Sequence, residues 1–178
     1  MSHKLLGAER RNFILQLLKN SKEPLTGSEL AKRTYVSRQV IVGDITLLKA
    51  MNEPIVATSQ GYIYVNNEPA AYVERIVACY HTPDRTEEEL QLIVDFGVTV
   101  KDVTIDHPVY GDLKASVMVS NRRDVKLFME NMRKNKASFL LELTEGYHLH
   151  TLSAPSMEQL DEAEKALEKA GFLVETIH

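Results

Sequence analysis

The sequence predicts a two-domain α+β chain, an N-terminal winged helix-turn-helix followed by a ferredoxin-like α+β domain. Three observations lead there. Two short helical patterns, joined by only a few residues, run directly into a hairpin pattern around Ser59-Gln60-Gly61. A polar stretch ending in proline, Asn66-Asn67-Glu68-Pro69, separates this block from the rest. Beyond it, strand and helix patterns follow in the order β-α-β-β-α-β, with one helix and one strand appended. The resulting boundaries are 1–66 for the head, 67–69 for the linker and 70–178 for the second domain.

Each element has its own signal. From Ala8 to Lys19 the apolar Phe13, Ile14, Leu17 and Leu18 recur at helical spacing, and Ser21-Lys22-Glu23-Pro24 ends the helix. Thr26-Gly27-Ser28 supplies capping side chains for a short helix over Glu29–Arg33. A third helix starts after Ser37, with Ile41, Ile45 and Leu48 on its inner face; Leu30 and Val36 complete the expected small core. Ile55–Thr58 and Tyr62–Val65 read as the two strands of a wing. In the second domain Val73–Tyr80 is β-rich, Glu87–Val94 is an amphipathic helix stopped at Gly97, and Val98–Ile105 and Leu113–Val119 are strands around a His107–Gly111 turn. Asn121 caps a helix with Val125, Leu127, Phe128 and Met132 inside. Tyr147–Leu152 is a strand, Ser156–Ala170 a helix, and Phe172–Val174 a last strand.

With 178 residues the chain is long enough for two cores, and its 44% hydrophobic and 26% charged residues are ordinary globular values. No apolar run approaches the roughly 20 residues of a membrane span, and the first residues lack a signal-peptide core, so a cytoplasmic protein with no membrane partner is expected. The lone Cys79 excludes an internal disulfide and a cysteine-rich zinc module, and fits a reducing compartment. The net charge of −4 is uneven. Residues 1–66 carry nine Lys/Arg against five Asp/Glu, or +4, leaving −8 for the remainder. A basic head on an acidic body lets the head approach phosphates while the body is repelled.

The leading turn of the third helix carries the head's chemistry. With Ile41, Ile45 and Leu48 inward, Ser37, Arg38, Gln39, Val42 and Thr46 project outward, where such a helix meets base edges in double-stranded DNA. Arg38 suits guanine and Gln39 adenine, while Ser37 and Thr26 suit phosphates. Gly43 in mid-helix costs about 1 kcal/mol against alanine, for which close approach to DNA is one compensation.

The second constellation is built on histidine. His148 and His150 stand two apart on a strand, so both imidazoles leave the same face. His81 ends the domain's first strand, which in a ferredoxin-like sheet neighbours the last core strand. Glu89 lies about two helical turns after His81 and completes a set of three imidazoles and one carboxylate, suited to nickel, zinc or another late divalent ion. Glu87 and Glu88 point elsewhere. His107 and Tyr110, in the turn Asp106–Gly111, are candidates for an effector pocket. Arg122, at a helix N-terminus with Arg123, is a candidate for receiving an anionic ligand.

Together these residues resemble a known family, the niacin-responsive transcriptional repressors of bacterial NAD metabolism, which join a winged helix to a three-histidine (3H) domain. The carriers are Val36-Ser37-Arg38-Gln39-Val40-Ile41-Val42, Ile55–Thr58 and Gly61-Tyr62 in the head. In the second domain they are His81-Thr82-Pro83, Glu87–Leu90, Val94-Asp95, Gly97-Val98, His107–Gly111 and His148-Leu149-His150-Thr151. The resemblance covers nearly the whole chain. It implies a repressor of genes for NAD synthesis or niacin uptake, with nicotinic acid as co-repressor and a divalent metal at His81, Glu89, His148 and His150; separately, symmetric operators favour a two-fold winged-helix repressor, so a homodimer is expected. Two rival functions are a repressor that senses the metal itself and a metal-dependent enzyme fused to a DNA-binding head. No general acid or nucleophile motif accompanies the candidate ligands, so a regulator rather than an enzyme is expected.

Overall fold

The computed structural model describes residues 5–66 and 71–175. The predicted linker, 67–69, and the terminal His3 and His178 lie outside the described residues. The chain divides into two compact units, Met1–Pro69 and Ala70–His178. Among the described residues, no helix is long and apolar enough to cross a membrane.

The first unit runs α1 (Gly7–Asn20), α2 (Gly27–Thr34), α3 (Arg38–Ala50), β1 (Ile55–Thr58) and β2 (Gly61–Tyr64). Helix α2 starts on a capping box: the Thr26 hydroxyl accepts the Glu29 amide at 3.1 Å, and the Glu29 carboxylate accepts the Thr26 amide at 2.8 Å. It ends at Tyr35, whose left-handed φ of 56° turns the chain. Two residues later Ser37 caps α3 by accepting the Val40 amide at 3.3 Å. The turn is short because the Tyr35 and Val36 amides close α2 on the Ala31 carbonyl and Ser37 already caps α3. Ile14, Leu18, Leu30, Ile41, Ile45, Leu48 and Ile55 form the core beneath it. Phe13, expected inside, is 40% exposed, and Leu15 is buried instead. The buried stripe of α1 centres on Ile14 and Leu18, one turn apart, which leaves Phe13 on the rim.

Two contacts hold this unit's geometry. Asp44, buried on α3, accepts Arg10 Nε at 2.6 Å and Nη2 at 3.1 Å, tying α1 to the recognition helix. Strand β2 pairs with Leu25 through Leu25 N–H to the Tyr62 carbonyl at 3.0 Å and Tyr62 N–H to the Leu25 carbonyl at 2.7 Å. The approach is close enough that a Cβ on Gly61, whose φ is +125°, would lie 2.7 Å from the Leu25 carbonyl, so only glycine fits there.

The second unit contains β3 (Val73–Tyr80), α4 (Thr86–Val94), β4 (Thr99–His107), β5 (Gly111–Val119), α5 (Arg122–Lys134), β6 (Tyr147–Ala154) and α6 (Met157–Lys169). Short 3-10 turns occupy Pro83–Arg85 and Leu140–Thr144. The fold class and the β-α-β-β-α-β succession are as the sequence predicts. The spatial order of the antiparallel sheet is β3-β6-β4-β5. This departs from the ferredoxin-like expectation in two respects: there the first and third strands lie inside the sheet, whereas here β3 and β5 are at the edges and β6 and β4 are interior. Edge strand β3 carries Glu74 and Arg75, while β6 has no Asp, Glu, Lys or Arg along Tyr147–Ala154. At the edge Arg75 reaches Asp161 at 2.7 Å and also pairs with Glu164.

The expected last strand shrinks to one bridge, Leu173 with Cys79, flanked by Tyr80 N–H to the Phe172 carbonyl at 2.8 Å and Val174 N–H to the Ala78 carbonyl at 3.0 Å. One sheet face carries Val77, Cys79, Val100, Val119 and Leu152 against Leu90, Ile93, Leu160, Leu167 and Phe172. On α5 the buried positions are Val125 and Met129; Leu127, expected inside, is 41% exposed because it falls outside their i, i+4 stripe.

Replacing Asp44 by alanine strands the Arg10 guanidinium and is expected to destabilise the chain by about 1–3 kcal/mol. Chemical denaturation checks this, and an unchanged midpoint would show that the ion pair contributes nothing.

Candidate functional site

Four buried polar side chains meet beneath the β3–β6 edge. His81 follows β3 directly, Glu89 sits on α4, and His148 and His150 lie on β6, whose register places His148 opposite Cys79 and His150 opposite Val77. All three imidazoles present Nε2 to the one carboxylate. The separations from Glu89 oxygens are 2.5 Å for His81, 3.1 Å for His148 and 2.6 Å for His150. The Glu89 side chain is 1% exposed.

The opposite ring nitrogens are all engaged by backbone carbonyls. His81 Nδ1 donates to Thr82 at 2.7 Å, His148 Nδ1 to Gly146 at 2.9 Å and His150 Nδ1 to Asp102 at 2.7 Å. With the proton on Nδ1, each neutral ring turns an Nε2 lone pair toward carboxylate oxygens that are themselves lone-pair donors. Only positive charge reconciles the four groups, either as protons on the rings or as a cation among them. His81 Nε2, although 2.5 Å from Glu89, is misaligned for a hydrogen bond and has no hydrogen-bond partner. Anchored Nδ1–H groups with convergent Nε2 atoms are the outer-shell arrangement of a histidine metal site.

The electrostatics point the same way. Burial opposes charge on Glu89, yet the imidazoles of His150, His148 and His81 hold its carboxyl well below the usual carboxylate range. Burial also opposes protonation of His81 and His150, yet Glu89 outweighs it and raises both above the ordinary imidazole value.

Two backbone devices aim these side chains. The register of β4 against β6 shifts between Val100 and Asp102, and this bulge region brings the Asp102 carbonyl to His150 while the Asp102 carboxylate accepts the Thr151 amide at 3.0 Å. Gly146, at φ +105°, presents its carbonyl to both His148 Nδ1 and the His81 amide. A Cβ there would lie 2.6 Å from the His81 carbonyl oxygen.

One residue escaped the sequence reading. Cys79 is fully buried, and its thiol lies with Glu89 and His148 in a set whose donor atoms are all within 4.8 Å of one another. Burial and the neighbouring Glu89 push that thiol up from its ordinary value. The available signal was strand parity, which puts residue 79 on the same face as the His81 that follows it.

The effector candidates are less convergent. His107 Nδ1 accepts the amides of Val109 and Tyr110, both at 3.1 Å, and its ring lies 5.1 Å from that of Tyr110, so the two share the β4–β5 turn. The Tyr110 side chain is largely solvent-exposed. Arg122 is not brought to them: its guanidinium clasps Asp95 at 2.7 and 2.6 Å. A cavity of about 220 Å³ lies against β3, β6 and β4, lined by Ala78, Thr104, Asp106, Tyr147 and Leu149 among others.

In the first unit, Ser37, Arg38, Gln39 and Thr46 are exposed and Val42 is half-buried, so the leading turn of α3 offers one continuous outward surface. The Ser37 and Thr26 hydroxyls accept the amides that cap their helices, and Thr46 donates to the Val42 carbonyl at 2.7 Å. The Arg38 stem packs beside Gly27 with Tyr62 near the same point, joining α3, the start of α2 and the wing. A Cβ at Gly43 would meet nothing within 4 Å, so packing inside the unit does not demand glycine there.

A helix-turn-helix with an open recognition face, followed by a sheet domain with a sealed polar centre, defines the two-domain regulator class. Comparison with known proteins gives the same division: the 3H domain matches residues 74–176 and an HTH domain matches residues 10–63. The chain is 58% identical over 173 residues to the transcription repressor NadR of Bacillus subtilis strain 168, covering 96% of each protein. It is 40% identical over 175 residues to the probable transcription repressor NiaR of Thermotoga maritima, covering 98% of this chain and 99% of that one. The chain belongs to this family of transcription repressors, in which an HTH DNA-binding domain precedes a 3H domain.

Two outcomes follow from the geometry. Gly146→Ala is expected to displace the His81 backbone and destabilise the chain by about 1–3 kcal/mol; chemical denaturation measures it, and wild-type stability would refute the role given to Gly146. The pH response has a definite sign. Protons on His81 and His150 bind more tightly in the folded chain, so their stabilisation is complete below the ordinary imidazole pKa of about 6.5 and is lost as pH rises through the raised values. Thermal melts of chelator-treated protein are expected to show stability falling across that window. A rise there would contradict the assignment.

Proposed function

We propose that this chain is a cytoplasmic, homodimeric repressor that binds operator DNA through its winged helix and uses nicotinic acid as co-repressor, controlling genes of NAD synthesis or niacin uptake. In this reading His81, Glu89, His148 and His150 hold one late divalent ion, nickel or zinc. The observation that carries the sensing half is the convergence of three Nδ1-anchored imidazoles on the buried Glu89 carboxylate. Three nitrogens and one oxygen form a late-divalent donor set.

The ion's part is to offer an open coordination position that a carboxylate such as that of nicotinate can occupy. The chain does the rest. Carbonyls of Thr82, Gly146 and Asp102 fix the three tautomers, and Glu89 supplies negative charge where water is excluded. Arg38 and Gln39 face outward from α3 to read base edges, with Ser37, Thr26, Val42 and Thr46 bordering them. A two-fold dimer would present two such helices to a symmetric operator.

Gel shifts on candidate upstream regions, with metal fixed and nicotinic acid varied and then the reverse, test the reading. Binding is expected to tighten with nicotinic acid only when metal is present. A response to metal alone would make the ion the signal, and turnover of the ligand would indicate an enzyme. Arg38→Ala is expected to cost about 1–3 kcal/mol of discrimination at one base position; a variant that binds every operator mutant with wild-type preference would remove Arg38 from base readout.

A further inference from the structure

Resting on the metal reading above, we propose that Cys79 contributes a sulfur donor to the same ion, so that the centre prefers thiophilic late divalent metals over hard, oxygen-seeking ones. Three observations place it there. Cys79 is fully buried, one strand step from the Val77 and His81 positions on the inward face of β3, and its register partner on β6 is the candidate ligand His148. The Cys79 sulfur, a Glu89 oxygen and a His148 nitrogen are mutually within 4.8 Å. Two donors on one ion, each roughly 2.0–2.3 Å from it, stand no more than about 4.6 Å apart, so this set closes on an ion with at most small side-chain movements. Independently, His81 Nε2 is buried, lacks a hydrogen-bond partner and faces the same carboxylate.

Charge balance strengthens the case. A divalent ion with three neutral imidazoles and one carboxylate leaves a buried net positive charge, which is costly away from water. Coordination by Cys79 breaks its S–H bond heterolytically: the proton leaves to solvent and the sulfur electron pair goes to the ion. Thiolate and carboxylate then neutralise the divalent charge. Soft sulfur also biases the set against magnesium, calcium and manganese, which histidine and glutamate alone do less strongly.

The full-length protein, stripped with chelator and titrated with cobalt(II), provides the test. Because Cys79 is the single cysteine of the chain, any sulfur-to-cobalt charge-transfer absorption in the near ultraviolet reports on it directly. The expected result is a charge-transfer band that saturates at one cobalt per chain together with the visible ligand-field bands. In Cys79→Ser the charge-transfer band disappears, the ligand-field bands persist, and zinc affinity falls by roughly tenfold or more. Visible bands that saturate in wild-type protein without charge transfer would overturn the sulfur ligand while leaving the metal centre standing. Failure to bind cobalt at all would overturn both. The wild-type spectrum decides the matter even if the serine variant does not fold.

Discussion

A carboxylate sealed among three imidazole nitrogens imposes a condition on everything around it. Glu89 is as buried as the leucines of the adjoining core, so its charge cannot be hydrated and must be met by neighbours. Those neighbours come from the end of β3 and from β6, segments far apart in sequence. The sheet order, the bulge near Asp102 and the left-handed Gly146 all serve to bring them within 3.1 Å of its oxygens. The interior position of β6 follows the same constraint, because its two histidines reach partners on both sides: His148 opposite Cys79 of β3, and His150 bonded to Asp102 of β4.

The DNA-binding unit depends on a different principle. There the polar groups that matter stay in solvent, and burial is used to hold the scaffold still. The Arg10–Asp44 pair ties α1 to the inner face of α3, the Leu25–Tyr62 pairing fixes the wing, and left-handed Tyr35 with the Ser37 cap defines a turn of three residues. Exposed Arg38 and Gln39 therefore project from a rigid helix, which lowers the entropy lost when they order against a ligand.

Much of this was legible in the residues. Capping patterns at Thr26 and Ser37 marked the helix starts, and a strand period of two put His148 and His150 on one face. Antiparallel neighbourhood of first and last strands brought His81 to them, and that adjacency holds although the sheet order differs from the ferredoxin-like one. What escaped depends on non-local packing. The strand order follows from contacts between distant segments, and the helical phase of α1 and α5 put Phe13 and Leu127 on the rim. Arg122 found Asp95, a partner 27 positions away that no local motif announces. Cys79 was passed over because a single cysteine was weighed only as a disulfide or a cysteine-rich zinc module, not as one donor in a mixed set.

Anomalous diffraction at the zinc or nickel edge, from crystals of the metal-loaded protein, addresses the central claim most directly. The account predicts one strong peak per chain, roughly 2.0–2.2 Å from the Nε2 atoms of His81, His148 and His150 and from a Glu89 oxygen. A map without that peak, with protonated imidazoles hydrogen-bonded to the Glu89 carboxylate, would contradict it.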